Sequence, residues 1–197
     1  GTPSLLSPKM LGDIFNELHK NFTITEDAEI TLECNPGASD AKYFADYHSI
    51  GINRLSIGVQ SFVDTELKFL QRIHSGTEAV ATIEAAKSIF NNVSIDLLFA
   101  VPGQSVDSLL YSLSNAVASE LQHISCYSLV FEENTPLFDD LLSNKVKEMG
   151  DAQSADMYET MCGYLADNSF LQYEISNFAL EGYHSRHNQK YWTSQDV

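Results

Sequence analysis

The sequence predicts an α/β fold in which parallel strands form an open or partial barrel around a polar ligand. Strand patterns alternate with helix patterns five times along the 197 residues, which is typical of βα units and a parallel sheet. Three of these strands carry a small or polar face toward their carboxyl ends, whereas the lumen of a closed barrel is filled by branched apolar side chains. A polar lumen needs a polar occupant, and open α/β sheets bind ligands at the carboxyl ends of their strands.

The strands are assigned from a two-residue apolar period and from the turn residues that end each run. In the first strand, Ile30 and Leu32 alternate with polar neighbours until Asn35-Pro36-Gly37 ends the pattern. The assigned strands cover 28–34, 53–60, 93–99, 123–130 and 171–177. The small or polar residues predicted to share the inner face are Thr31, Glu33, Ser56, Gly58, Gln60, Ser94 and Asp96.

The helices are assigned from their caps and apolar stripes. Ser7 before Pro8 is an N-cap followed by proline at the first helical position. Ser39 is assigned as the N-cap of a short helix that Gly51 closes. The assigned helices after the one at Pro8 cover 39–49, 64–72, 77–90, 105–119 and 151–167. We therefore expect one core domain over 1–180 and the start of a C-terminal region over 181–197.

The net charge of −16, from 11 basic and 27 acidic residues, limits the classes of partner. An acidic surface repels phosphate backbones and anionic lipids, so we expect neither nucleic acid nor a membrane as a partner. No apolar run is long enough to span a bilayer, and no signal-peptide pattern opens the chain. Cys34, Cys126 and Cys162 are far apart and suggest neither disulfides nor a metal motif, which favours the cytoplasm.

Two carboxylates of the predicted inner face are candidates for ligand binding. Glu33 and Asp96 must be paired or hydrogen-bonded inside a lumen, either to amine and hydroxyl groups of a ligand or to Arg54, Arg72 or a backbone turn. The spacing leaves both alternatives open. Gln60 adds an amide on the same face, and Arg72 adds a guanidinium that either binds a ligand carboxylate or lies on a helix surface.

A cluster of aromatic and imidazole side chains lies near the end of the chain. His184 and His187 are three residues apart and would share a face of a helix, close to Tyr191 and Trp192. Metal ligation and a structural or surface role both fit this spacing.

Short motifs follow one another through essentially the whole chain. They are Gly1-Thr2-Pro3-Ser4, Glu33-Cys-Asn-Pro-Gly37, Asn-Arg-Leu-Ser-Ile-Gly-Val-Gln-Ser-Phe at 53–62, Leu70-Gln-Arg-Ile-His74, Asp-Leu-Leu-Phe-Ala-Val-Pro-Gly-Gln at 96–104, Tyr127-Ser-Leu with Glu133-Asn-Thr135, and a Tyr-Glu-Ile-Ser to Tyr-Trp series at 173–192. This series resembles the motifs of radical S-adenosylmethionine (SAM) enzymes related to oxygen-independent coproporphyrinogen oxidase. One departure is Ala100, where that family usually has glycine.

The resemblance implies a SAM site on the predicted inner face. By it, Gly1 and Thr2 touch the methionyl end of SAM, Glu33 accepts from its amino group, Arg72 pairs with its carboxylate, Gln60 and Asp96 hold the ribose hydroxyls, and Val130 lies against the nucleoside through its backbone.

The resemblance also implies a [4Fe–4S] cluster, held by a CxxxCxxC loop after the family's first strand. That segment would precede Gly1, so we expect a partial, open radical SAM barrel without the cluster-binding strand and without metal ligands in this chain. The full-length protein is expected to carry the cluster.

Two branches of the family remain. His187-Asn-Gln-Lys-Tyr-Trp192 resembles the His-Asn-x-x-Tyr-Trp motif of the HemW-type haem chaperones, which favours haem binding through His187 and transfer to a haem-accepting protein. The alternative is a coproporphyrinogen III oxidase, which acts on a porphyrinogen and converts two propionates to vinyls. The sequence leaves open whether the protein is an enzyme.

Overall fold

Four parallel strands form the centre of the computed structural model, which describes residues 2–194. They are β1 (Thr31–Cys34), β2 (Arg54–Gln60), β3 (Val93–Phe99) and β4 (His123–Ser128), and they pair in chain order. Two short strands, β5 (Leu171–Gln172) and β6 (Asn177–Ala179), extend the sheet beyond β4 in the order β1-β2-β3-β4-β6-β5. Within residues 2–194, β1 and β5 are edge strands, so the sheet is not closed, as the sequence predicted.

Helices lie before, between and after these strands, and those at Pro136–Leu142 and Arg186–Trp192 are additional to the helices predicted from the sequence. The helices are α1 (Pro8–Asn21), α2 (Ala38–Ala41), α3 (Phe44–Ser49), α4 (Asp64–Phe69), α5 (Gly76–Lys87), α6 (Val106–Ala118), α7 (Pro136–Leu142), α8 (Asp151–Asp167) and α9 (Arg186–Trp192), and a 3-10 turn at Pro3–Leu5 precedes them. The predicted cap of α1 is present, since the Met10 backbone N–H donates to Ser7 Oγ. Among residues 2–194, no helix combines the length and the apolar character that crossing a bilayer requires.

The structure corrects the strand predicted at 171–177. That segment turns between β5 and β6, and β6 runs antiparallel to both β4 and β5. The turn is closed by Glu174, whose carboxylate accepts from the Ser176 backbone N–H at 2.8 Å and from the Asn177 amide. The predicted parallel fifth strand is therefore wrong, because these tertiary hydrogen bonds replace the extended conformation.

Two predicted helices also differ in extent. The segment 39–49 divides into α2 and α3, separated by a turn in which the Tyr43 N–H donates to the Asp40 carbonyl at 2.9 Å. Ser39 lies inside α2 instead of preceding it as a cap. The helix predicted to reach Arg72 ends at Phe69, because Gln71 adopts a left-handed backbone with φ 53°.

The two faces of the sheet differ in polarity. Leu55, Ile57, Val93 and Ile95 are fully buried on the face that packs against α5, α6 and α8. Residues of the opposite parity, such as Ser56 and Asp96, point away from this core. The helix-facing side therefore holds the fold together, and the other side is free to bind a ligand.

Candidate functional site

A row of polar side chains crosses the inner face of the sheet. The strand register places Glu33 beside Ser56 and Asp96 beside Ser125. Between β2 and β3, the Ser56 hydroxyl donates to Asp96 Oδ1 at 3.2 Å. Glu33, Ser56 and Asp96 of this row line two neighbouring cavities.

The upper cavity lies at the carboxyl ends of β1 and β2 and has a volume of about 190 Å³. It gathers the predicted ligand-binding residues Thr2, Glu33, Gln60, Arg72 and Asp96. Cys34, Asn35, Ser56 and Gly58 complete its lining. Five side chains from separate segments of the chain thus converge on one space, as the shared parity of the strand residues predicts.

Asn35 connects the components of the upper cavity. Its amide nitrogen donates to Thr2 Oγ1 at 3.3 Å, and its amide oxygen accepts from Arg72 Nη1 at 3.5 Å. The strand pattern in the sequence indicates Asn35 only as the end of a strand. The signal that could have revealed its role is its place between Glu33 and Gly37 in a family motif.

Gly58 allows the amides of Asn35 and Gln60 to approach the sheet. A Cβ atom built on Gly58 would lie 2.9 Å from Gln60 Nε2 and 3.3 Å from Asn35 Oδ1. Gln60 has a left-handed backbone with φ 68°, and the register with β3 shifts between Ile57 and Gln60. This bulge turns the Gln60 amide into the cavity.

The carboxylates of the cavity are not neutralised by direct ion pairs. None of the salt bridges within residues 2–194 joins Glu33 or Asp96 to an arginine. Burial raises the pKa of Asp96 to about 6, despite hydrogen bonds with Ser125 and Ser56 that lower it. Burial lowers the pKa of Arg72, while the charge of Asp96 raises it. Within residues 2–194, Glu33 and Asp96 therefore form no ion pair with Arg54 or Arg72.

The lower cavity lies nearer the amino ends of the strands and has a volume of about 410 Å³. Its lining includes Thr31, Arg54, Tyr127, His187 and Asn188. Glu33, Ser56 and Asp96 line both this cavity and the upper one. His187 is thus separated from Gln60 and Arg72 by the row of polar side chains on the inner face.

Val130 lines a third, more apolar cavity of about 270 Å³. This cavity shares Arg72 with the upper cavity and is otherwise formed largely by leucines and Phe69. Val130 therefore lies in a cavity adjacent to the upper cavity and does not line the upper cavity itself.

Helix α9 is held against the lower cavity from two sides. The Glu29 carboxylate accepts from the backbone N–H groups of Arg186 and His187, at 3.1 and 3.4 Å. On the other side, the Ser185 N–H donates to the Tyr173 hydroxyl at 3.2 Å, and the Asn188 side chain hydrogen-bonds the same hydroxyl. These contacts fix the start of α9.

The Tyr173 hydroxyl also reaches a buried histidine, His123, whose Nε2 lies 2.7 Å from the hydroxyl oxygen. Nδ1 of His123 lies 2.8 Å from the Ser94 hydroxyl. Burial lowers the pKa of His123 to about 3, so the ring is neutral at physiological pH and has a hydrogen-bonding partner at each nitrogen. Sequence reasoning missed both Tyr173 and His123.

The two histidines near the end of the chain have different environments. The His184 ring stacks on Tyr173, with centroids 4.4 Å apart, and its Nδ1 lies 3.0 Å from Gln189 Nε2. His187 is exposed and meets the edge of Tyr191 at a centroid distance of 5.2 Å. Within residues 2–194 no group of three or more His, Cys, Asp or Glu side chains is arranged to hold a metal ion.

Comparison with known families accounts for the polar inner face. The sequence pattern of the Radical SAM superfamily matches residues 1–114. This chain belongs to the radical SAM superfamily.

Relatives and solved structures agree with this assignment. The chain is 40% identical over 193 residues to the mitochondrial radical S-adenosyl methionine domain-containing protein 1 of Danio rerio, covering 98% of this chain and 44% of that protein. It is 34% identical to the heme chaperone HemW of Bacillus subtilis, covering 99% of this chain and 52% of that protein. The structure of the Escherichia coli coproporphyrinogen III oxidase HemN superposes with a TM-score of 0.81 at 22% identity, over 98% of this chain and 44% of HemN. The chain thus spans about half the length of these curated relatives, and the likeness to HemN shows the fold.

The cysteines of this radical SAM chain do not form a site for an iron–sulfur cluster. Cys34 and Cys126 are buried in the core, and burial raises the pKa of both thiols. Cys162 lies on α8, and burial raises its pKa as well. Three separate protonated thiols do not supply the adjacent thiolates that a cluster needs.

The residues of the upper cavity do match the groups of SAM. A guanidinium suits a carboxylate, and carboxylate and amide side chains suit an amine and hydroxyl groups. Gly58 leaves the space that the amides of Asn35 and Gln60 occupy. The predicted contact of Gly1 lies outside the described residues.

Proposed function

We propose that the full-length protein is a HemW-type haem chaperone that binds SAM in the upper cavity and haem beside α9. The observation that carries the SAM site is the convergence of Thr2, Glu33, Gln60, Arg72 and Asp96 on one cavity. HemW relatives from several bacteria, each between 32% and 35% identical to this chain, support the chaperone branch.

Each predicted ligand-binding residue in or beside the upper cavity has a chemical role in this proposal. Arg72 binds the SAM carboxylate and Glu33 accepts from its amino group, while Gln60 and Asp96 hold the ribose hydroxyls. Thr2 contacts the methionyl end, and the Val130 backbone lies against the nucleoside in the adjoining apolar cavity. A [4Fe–4S] cluster would be held by cysteines outside this chain.

Haem binding in this proposal depends on His187. Neutral imidazole is a common axial ligand of haem iron, and the exposed rings of Tyr191 and Trp192 offer flat apolar surface to a macrocycle. The recipient would be a haem-accepting protein. The cytoplasm is the compartment we propose, although the vertebrate relatives are named mitochondrial proteins.

The test is an anaerobic haem titration of the full-length protein and of His187→Ala, with the exposed His19→Ala as a matched control. We expect His187→Ala to lower haem affinity on the order of tenfold or more and to leave SAM affinity unchanged. His19→Ala is expected to match the wild type in both measurements.

A decarboxylation assay with coproporphyrinogen III distinguishes the alternative activity. Formation of protoporphyrinogen IX by the wild type would assign the protein to the oxidase branch. Unchanged haem affinity in His187→Ala would remove His187 from the haem site.

A further inference from the structure

Arg54 is a buried arginine whose hydrogen-bonding capacity is largely unused. Its exposed fraction is 4%, and within residues 2–194 Nη1 donates only a long hydrogen bond of 3.4 Å to Thr31 Oγ1. Among the described residues, Nε has no hydrogen-bonding partner and no salt bridge includes Arg54. A buried guanidinium without a contacting anion is costly, so this position indicates a missing acceptor.

The surroundings of Arg54 show where that acceptor would lie. Arg54 has the same parity as Ser56 on β2 and lines the lower cavity with the hydroxyls of Ser56, Ser125 and Tyr127. These hydroxyls add no charge, and those of Ser56 and Ser125 already donate to Asp96 Oδ1 and Asn177 Oδ1. The lining of the lower cavity thus combines the Arg54 guanidinium with neutral hydroxyls and with the carboxylates of Glu29, Glu33 and Asp96.

The carboxylates that also line the lower cavity do not serve as contact partners of Arg54. Glu29 accepts from the N–H groups at the start of α9. Within residues 2–194 Asp96 forms no ion pair with Arg54, although the charge of Arg54 lowers the pKa of Asp96 that burial raises. Glu33 also lines the upper cavity, where the proposed function pairs it with the SAM amine.

We propose that Arg54 binds a carboxylate of the ligand in the lower cavity, and that under the proposed haem function this group is a propionate of the tetrapyrrole. The planar guanidinium can donate two parallel hydrogen bonds to a carboxylate. His187 lines the same cavity, so one ligand would meet an imidazole and a guanidinium there. This inference rests on the proposed haem binding.

The experiment changes the ligand as well as the protein. Full-length wild type, Arg54→Met and Arg54→Lys are titrated anaerobically with haem and with haem dimethyl ester in the same detergent. Lys9→Met, an exposed residue of α1, controls for the loss of one positive charge. We expect the wild type and Lys9→Met to prefer haem over the ester by about tenfold or more, the range of a charge-assisted hydrogen-bonded pair.

The variants at Arg54 locate the source of that preference. Arg54→Met is expected to bind haem and the ester equally, and Arg54→Lys to keep part of the preference because its charge remains. If Arg54→Met does not fold, the preference for haem over its ester is still compared between the wild type and Arg54→Lys, and this comparison tests the role of Arg54. A wild type that binds haem and its ester equally overturns the role of Arg54 and leaves the haem function standing. A wild type that binds neither haem nor the ester overturns both the proposed haem function and the role of Arg54.

The other carboxylate available to Arg54 is that of SAM, and SAM titrations of the same variants distinguish the two. We expect Arg54→Met to keep wild-type SAM affinity. A fall in SAM affinity with an unchanged preference for haem over its ester would assign Arg54 to the methionyl carboxylate instead and overturn the inference.

Discussion

Single residues set the shape of the upper cavity through backbone conformation. Gly58 cannot carry a Cβ without displacing the amide of Gln60, whose own backbone is left-handed.

Ala100 has φ 58°, a conformation that costs an L-residue about 1 kcal/mol or more and that glycine adopts freely. The glycine usual in the family at position 100 therefore has a conformational reason, and this chain accepts the strain at a buried turn after β3.

Asp96 illustrates a conflict between stability and binding. Burial raises its pKa to about 6, so the folded protein holds this proton more tightly than the unfolded chain does. Stability from this group is therefore present in acid and lost as pH rises from about 4 through about 6. We expect Asp96→Asn to raise the free energy of unfolding at pH 7 by about 2 kcal/mol and to remove that pH dependence.

Urea denaturation between pH 4 and pH 8 measures this effect, with the exposed Asp13→Asn on α1 as the control. SAM titration of the same proteins is expected to show weaker binding for Asp96→Asn only. A variant less stable than the wild type at pH 7 would show that the hydrogen bonds of the carboxylate outweigh its burial.

At the scale of elements, the sequence predicted those strands and helices whose first and last residues are marked by local signals. The bounds of β3 at 93–99 and of α8 at 151–167 match the sequence prediction because their periodicity and flanking residues are local. The strand predicted at 171–177 was wrong because the turn there depends on Glu174 and on pairing with β4. Alternation along a strand likewise predicted which side chains share a face, and so placed Glu33, Gln60 and Asp96 together.

Alternation could not predict contacts that depend on register or on a distant helix. The sequence indicates Arg54 only as a counter-ion, because its burial depends on how the strands pair. The Tyr173 to His123 contact joins residues 50 positions apart and has no sequence period. These residues are therefore visible only in the folded chain.

The attachment of α9 can be tested at Tyr173. Tyr173→Phe keeps the ring that stacks on His184 but removes the hydroxyl that Ser185 and His123 contact. We expect a loss of about 1–3 kcal/mol in the free energy of unfolding, because buried polar groups are left unpaired. Hydrogen exchange at the amides of 185–192 is expected to accelerate.

Tyr111→Phe, at an exposed position on α6, is the matched control and is expected to change neither measurement. Unchanged exchange at 185–192 in Tyr173→Phe would mean that the contacts of α9 with Glu29 and Asp27 hold this helix without the hydroxyl.

At the scale of the whole molecule, the charge of −16 acts against the compact state. The salt bridges described within residues 2–194 are mostly exposed and contribute little. Raising NaCl from about 10 mM to about 150 mM shortens the screening length from about 30 Å to about 8 Å. We expect the melting temperature of the chain to rise by about 2–4 °C, the shift that about 1 kcal/mol produces at this size.

Calorimetric scans at both salt concentrations measure this change at pH 7. At pH 5, closer to the sequence pI of about 4.5, the rise is expected to be smaller. A fall in melting temperature with salt would show that attractive pairs outweigh the excess negative charge.

The row formed by Glu33, Ser56 and Asp96 belongs to both cavities, so it acts as a common wall. A ligand in the upper cavity that reoriented or protonated these side chains would alter the surface that a ligand in the lower cavity meets. Thermodynamic linkage makes such an influence symmetrical: the factor by which the first ligand changes the affinity of the second equals the factor in the reverse direction. Through these shared side chains, occupation of one cavity would change the affinity of the other cavity for its ligand.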